Sequence, residues 1–69
     1  MRMFQTESTL INSYGYDPAT KVLRIEFQKG GTWEYADVPQ DKFEDFLRAD
    51  SKGKHFLANI KGTYTATKL

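Results

Sequence analysis

The sequence predicts an α+β domain: a small antiparallel sheet in the order β-β-β-α-α-β, with two short helices packed on one face. Three observations carry this. Val22 to Gln28 alternates, with Leu23, Ile25 and Phe27 on one side and Arg24, Glu26 and Gln28 on the other, the period of a half-buried strand. Gly30-Gly31 then marks a tight turn, and the chain returns through Thr32 to Val38 with the aromatic pair Trp33 and Tyr35. Past Val38-Pro39 the spacing becomes helical, with Phe43, Phe46 and Leu47 at i, i+3 and i+4.

The remaining elements follow from the same reading. Thr9 to Tyr16 forms the first strand, with Tyr14 and Tyr16 on one face. Asp17-Pro18 opens a turn toward Lys21, because proline presets φ and the aspartate bonds the backbone ahead of it. Pro39 suits the first position of a helix, where its missing N–H leaves nothing unpaired. Asp41, Glu44 and Asp45 then favour the positive end of the helix dipole and need no catalytic explanation. Asp50 or Ser51 caps a second short helix that carries Phe56, Leu57 and Ile60 inward and stops near Gly62. Thr63 to Lys68 is rich in β-branched residues and makes the final strand.

Two hairpin registers are open. A two-residue loop, Gly30-Gly31, pairs Phe27 with Glu34 and turns Trp33 and Tyr35 to the opposite face as a stacking platform. A three-residue loop, Gln28-Lys29-Gly30 with Gly30 left-handed, sets Ile25 opposite Trp33 and Leu23 opposite Tyr35, so the rings join the core. The second has the stronger physical argument, since so small a domain needs its largest rings for burial.

At 69 residues with 39% hydrophobic side chains and no cysteine, the chain is one domain with neither disulfides nor a cysteine zinc site. A core this size supplies roughly 3–5 kcal/mol of net stability. Monomer and homo-oligomer stand evenly, because self-association is one way to bury more surface. The amino-terminal MRMFQTESTL lacks the apolar run of a signal peptide, so a soluble cytoplasmic protein without a membrane partner is expected. Net charge is +1, too small for a generic nucleic-acid coat, but it is unevenly spread. From Arg48 onward five basic residues face one acid, whereas the first 47 residues carry five basic and eight acidic. The carboxyl-terminal third therefore points toward an anionic partner.

The candidate site begins at Ser51-Lys52-Gly53-Lys54-His55. A helix start offers free N–H groups and a positive dipole end, two lysines and a histidine stand beside it, and Gly53 allows close backbone approach. The Gly-Lys-Ser/Thr sequence and spacing of a Walker loop are absent. His55, the single histidine, has no companions for a metal site or a triad, and no cofactor is expected. Tyr14, Tyr16 and Tyr64 supply rings of the kind that grip unstacked bases, and equally serve as the edge of a core. Lys61 flanks the far end of the same helix.

Taken together, these segments resemble the KTSC domain, a short module found at the carboxyl terminus of some lysyl-tRNA synthetases and alone in bacterial and phage proteins. The matching residues are Ile11 through Gly15-Tyr16-Asp17, Leu23-x-Ile25-x-Phe27-x-x-Gly30, Trp33-Glu34-Tyr35, Val38-Pro39, and Ser51-x-Gly53-x-x-Phe56-x-x-x-Ile60-Lys61-x-x-Tyr64. Coverage is nearly the whole chain, one domain over residues 1–69 with its core at about 8–68. Trp33 stands where the family usually has tyrosine, and His55-Phe56-Leu57 replaces a more aromatic run. The resemblance implies no settled activity, and an association with RNA only through the synthetase. The leading expectation is a noncatalytic module for an anionic ligand, RNA first. Lys52, Lys54, His55 and Lys61 would contact phosphate, with Tyr14, Tyr16, Trp33, Tyr35 or Tyr64 stacking or edging the site. The alternatives are a protein-interaction module, for example a phage-type inhibitor of a host protein built around Trp33 or Phe4, and an oligomer that binds or sequesters a nucleotide. An enzyme is not expected, because no nucleophile–base pair is visible.

Overall fold

Five antiparallel strands form one sheet in the order β1-β2-β3-β4-β5, and two helices lie across one face. The structure, a computed structural model, describes residues 1–69. Its elements are β1 (Phe4–Gln5), β2 (Ile11–Asp17), β3 (Val22–Phe27), β4 (Thr32–Tyr35), α1 (Gln40–Arg48), α2 (Lys52–Asn59) and β5 (Ala66–Lys68). The α+β class and the three-strand, two-helix, one-strand order hold, and β1 is added in front of them. Two residues are too few for a sequence period, so β1 has no signature of its own. The last strand is shorter than expected because Thr63–Tyr64 remain in the turn that closes α2 through Ile60.

The hairpin adopts the three-residue loop. Leu23 faces Tyr35 and Ile25 faces Trp33, while the Phe27 N–H donates to the Gly31 carbonyl across Gln28-Lys29-Gly30. Gly30 has φ +112°, a backbone region open to glycine and costly for other residues. With this register both rings of β4 face the helices. Tyr35 is 5% exposed and meets the Phe56 ring edge-on at 5.3 Å.

Burial explains why the helices sit where they do. Phe46 from α1, Phe56 from α2 and Ile60 just beyond it join Ile11, Leu23, Ile25, Tyr35 and Val38 in one core. Each such side chain contributes roughly 1.5–3 kcal/mol on leaving water. Two expectations fail here. Leu47 is 39% and Leu57 53% exposed, although the helical spacing predicts that both face inward. On helices of only two turns the buried stripe is narrow. Phe43–Phe46 fills it on α1 and Gly53–Phe56–Ile60 on α2, so the residue following each central phenylalanine rotates out. Pro39 precedes α1 as its extended cap residue, with its carbonyl accepting from Lys42 and Phe43, instead of being the first helical residue.

A bulge at Asn12 shifts β2 between Ile11 and Ser13. It lets Ile11 and the tyrosines Tyr14 and Tyr16 all face the helices, which strict alternation forbids. The two residues around it both donate to Glu26: Asn12 Nδ2 and Ser13 Oγ each lie 2.7 Å from Glu26 Oε1. These bonds hold the Glu26 carboxyl below its ordinary pKa, Ser13 first and Asn12 second. They lie on the helix-free face, which Arg24 and Glu34 complete as a cross-strand ion pair with Nε–Oε2 at 2.9 Å. The first three residues return across that face. A Cβ on Gly15 would come within 2.7 Å of both the Arg2 carbonyl oxygen and Met3 Sδ, so glycine is what seats this segment.

Candidate functional site

Of the two cap residues the sequence offers, Asp50 and Ser51, the structure uses Ser51. Ser51 takes an extended conformation and its Oγ accepts from the Lys54 N–H at 3.3 Å, closing the first turn. Gly53 is buried, and a Cβ there would meet Ser8 Oγ at 3.1 Å and Leu10 Cβ at 3.3 Å. Its smallness lets the β1–β2 connection press against the helix. Ser8 in turn accepts from the N–H groups of Leu10 and Ile11 at 3.1 and 3.2 Å. Lys52 folds back, its Nζ donating to the Leu47 carbonyl at 3.2 Å, whereas Lys54 is exposed and makes no ion pair. A hollow of about 380 Å³ lies here among Ser51, Lys52, Gly53 and Lys54, with Glu7 and Asp50 also on its wall. The acids offset part of the lysines' field.

A second hollow opens at the other end of α2. It lies beside β5, whose three residues are all exposed. There Phe27, Trp33 and Tyr35 from the sheet face Phe56, Leu57 and Lys61 across a groove of about 310 Å³. Trp33 is half-buried and its indole Nε1–H donates to the Gly30 carbonyl at 3.0 Å, which fixes the ring plane. Lys61, exposed at the lip, is the groove's single charged side chain. The two hollows share Leu10 and Leu57 as a common wall, so they form one strip along α2.

The other candidates lie apart from this strip. His55 and Tyr64 border a cleft of about 50 Å³ beside Lys42, Asp45 and Asn59, where Asn59 Nδ2 sits 3.3 Å from His55 Nδ1. Tyr14 and Tyr16 are enclosed by α1. Tyr14 meets Phe46 edge-on at 5.3 Å, and Tyr16 stacks on Phe43 at 4.4 Å while its hydroxyl donates to the Val38 carbonyl. Both rings serve the core edge. No group of three or more His, Cys, Asp or Glu side chains converges as metal ligands. Leu10, Phe27 and Leu57 were not among the candidate residues. Phe27 and Leu10 look like ordinary strand residues, and Leu57 joins the strip because it falls outside the narrow buried stripe of α2.

Burial raises the Tyr16 phenol above its usual pKa of 10.0, with Asp41 and Asp17 adding to the shift, and burial alone raises Tyr35. A group raised in this way supports the folded state below its unfolded pKa, and that support is lost as pH climbs toward its folded value. Thermal unfolding followed from about pH 9 to about pH 11 should therefore show a Tm that falls above about pH 10. Tyr16→Phe should start lower, having lost the bond to Val38, but decline less steeply. An identical slope in the variant would remove Tyr16 as a cause.

Comparison with known proteins agrees with this architecture. A crystal structure of a KTSC domain protein from Yersinia pestis superposes with a TM-score of 0.96 at 37% identity, covering 99% of this chain and 96% of that one. A small protein of Tsukamurella paurometabola is 37% identical over 67 residues, 97% of this chain and 100% of its own length. The lysine–tRNA ligase of Nostoc punctiforme is also 37% identical over 67 residues, where this chain spans 97% of itself but only 12% of the ligase. No helix here is long and apolar enough to cross a membrane. The KTSC domain model matches residues 7–64, which include β2 to β4, both helices and the α2-strip residues from Glu7 to Gly62, and the chain belongs to the KTSC domain family.

Proposed function

We propose that this domain is a noncatalytic module that binds single-stranded RNA along the α2 strip. One observation carries the reading: the hollow at the helix start and the aromatic groove share the Leu10–Leu57 wall, which sets Lys54 and Lys61 at two ends of one surface. Helix N–H groups and lysines suit phosphates, and aromatic rings suit unstacked bases, so the strip offers both on one continuous surface. The relatives that are lysine–tRNA ligases, enzymes named for an RNA substrate, support the same direction.

The test is binding of a labelled single-stranded RNA across a salt series. Two to four phosphate contacts correspond to a log–log slope of about −1.4 to −2.8 for a single strand. The double variant Lys54→Ala/Lys61→Ala should bind more weakly and lower that slope by about 1.4. Undiminished binding by the double variant would sink the proposal.

A further inference from the structure

We propose that the groove between β4 and the end of α2 receives one unstacked base of the bound strand, and that the Tyr35 hydroxyl reads an edge of that base. This rests on the RNA reading above and adds base discrimination to it.

Tyr35 carries the argument. The residue is 5% exposed, yet its hydroxyl has no hydrogen-bond partner within the protein and is not sealed from solvent. Tyr35 lines this groove and no other hollow, and we place the hydroxyl's opening to solvent there. A phenol both donates and accepts, and covering it with an apolar group leaves a desolvated polar atom unsatisfied. An aliphatic anchor from a protein partner would do this. A nucleobase would not, because its edge carries donors and acceptors of its own.

The other walls agree. Trp33 has already spent its single donor on the Gly30 carbonyl, so its ring contributes a surface and reads nothing. Phe27 and Phe56 meet edge-on at 5.3 Å and close the floor. Lys61 supplies one positive charge at the lip, where the phosphate attached to an inserted base would lie. A volume of about 310 Å³ falls at the small end of ligand sites, in keeping with one nucleotide unit. Reading power thus resides in one hydroxyl, with stacking around it.

The experiment titrates the protein with four short homopolymeric oligoribonucleotides and the four nucleoside monophosphates. It follows fluorescence of the single tryptophan, Trp33, and its indole N–H resonance, in wild type and in Tyr35→Phe. The variant should fold as wild type does, since the hydroxyl has no internal bond to lose. The expected result is quenching of Trp33, a preference of about five- to tenfold among the four bases, and its loss in Tyr35→Phe. Salt-dependent binding with equal affinity for all four homopolymers, or a preference unchanged in Tyr35→Phe, overturns the base site and leaves the RNA reading standing. No response to any oligonucleotide or monophosphate overturns both. A groove that answers only to an apolar peptide overturns both and assigns the surface to a protein partner.

Discussion

Phe46→Ala is expected to lower the free energy of unfolding by about 3–5 kcal/mol, the range for emptying a buried aromatic site. Phe46 is fully buried, and the rings of Tyr14, Phe43 and His55 surround it at centroid distances of 5.3, 6.4 and 6.0 Å. Those neighbours belong to a strand and two helices, so no single shift closes the void. Since a domain of this size has only roughly 3–5 kcal/mol in total, the variant should be largely unfolded at room temperature. Urea unfolding followed by far-UV circular dichroism checks this. Leu47→Ala is the companion, because Leu47 is 39% exposed and should cost well under about 1.5 kcal/mol. Equal losses in the two variants would mean that α1 is not anchored through Phe46.

Gly15→Val should detach the amino-terminal segment. The added carbons would overlap the Arg2 carbonyl oxygen and Met3 Sδ, each 2.7 Å from the first of them, and Met1 Cγ at 3.0 Å. Backbone cannot yield as a side-chain tip does, so the segment lifts and β1 loses its pairing of Phe4 with Tyr14 and Gln5 with Ser13. The cost is about 1–3 kcal/mol, the usual penalty for overfilling a packed site. Hydrogen exchange gives the sharper readout. The amides of β1 and the Thr6 N–H, which donates to Asn12, should lose protection, while β3 and β4 keep theirs. Unchanged protection at Thr6 would show that Gly15 does not seat the segment.

Much of the fold was legible from side-chain periodicity. Leu23, Ile25 and Phe27 announce β3 because one face of a strand must be apolar when only that face is covered. Ser51 announces α2 because a hydroxyl at that position satisfies an otherwise unpaired N–H. The candidate site was legible only in pieces. Ser51 to Lys54, Trp33, Tyr35 and Lys61 do line the two adjoining hollows beside α2, but Tyr14 and Tyr16 are consumed by packing against Phe43 and Phe46. A tyrosine beside lysines reads alike in sequence whether its ring meets solvent or another ring.

The sequence by itself determined the fold class, the order of β2 to β5 and the position of both helices, and narrowed the cap of α2 to Asp50 or Ser51, because each follows from local period, turn chemistry or capping. Tertiary structure decided what depends on contacts between distant segments. The three-residue loop placed Trp33 and Tyr35 toward the helices, although the glycines alone permit either register. The bulge at Asn12 turned Ile11 to the same face as Tyr14, and Gly15 seated a strand of two residues that has no period to detect. The close approach at Gly53 brought Ser8 and Leu10 against α2, and Leu10 with the exposed Leu57 became the wall that joins the two hollows. Alternation and capping are properties of neighbours along the chain, whereas close approach at a glycine is set by whatever the rest of the fold brings to it.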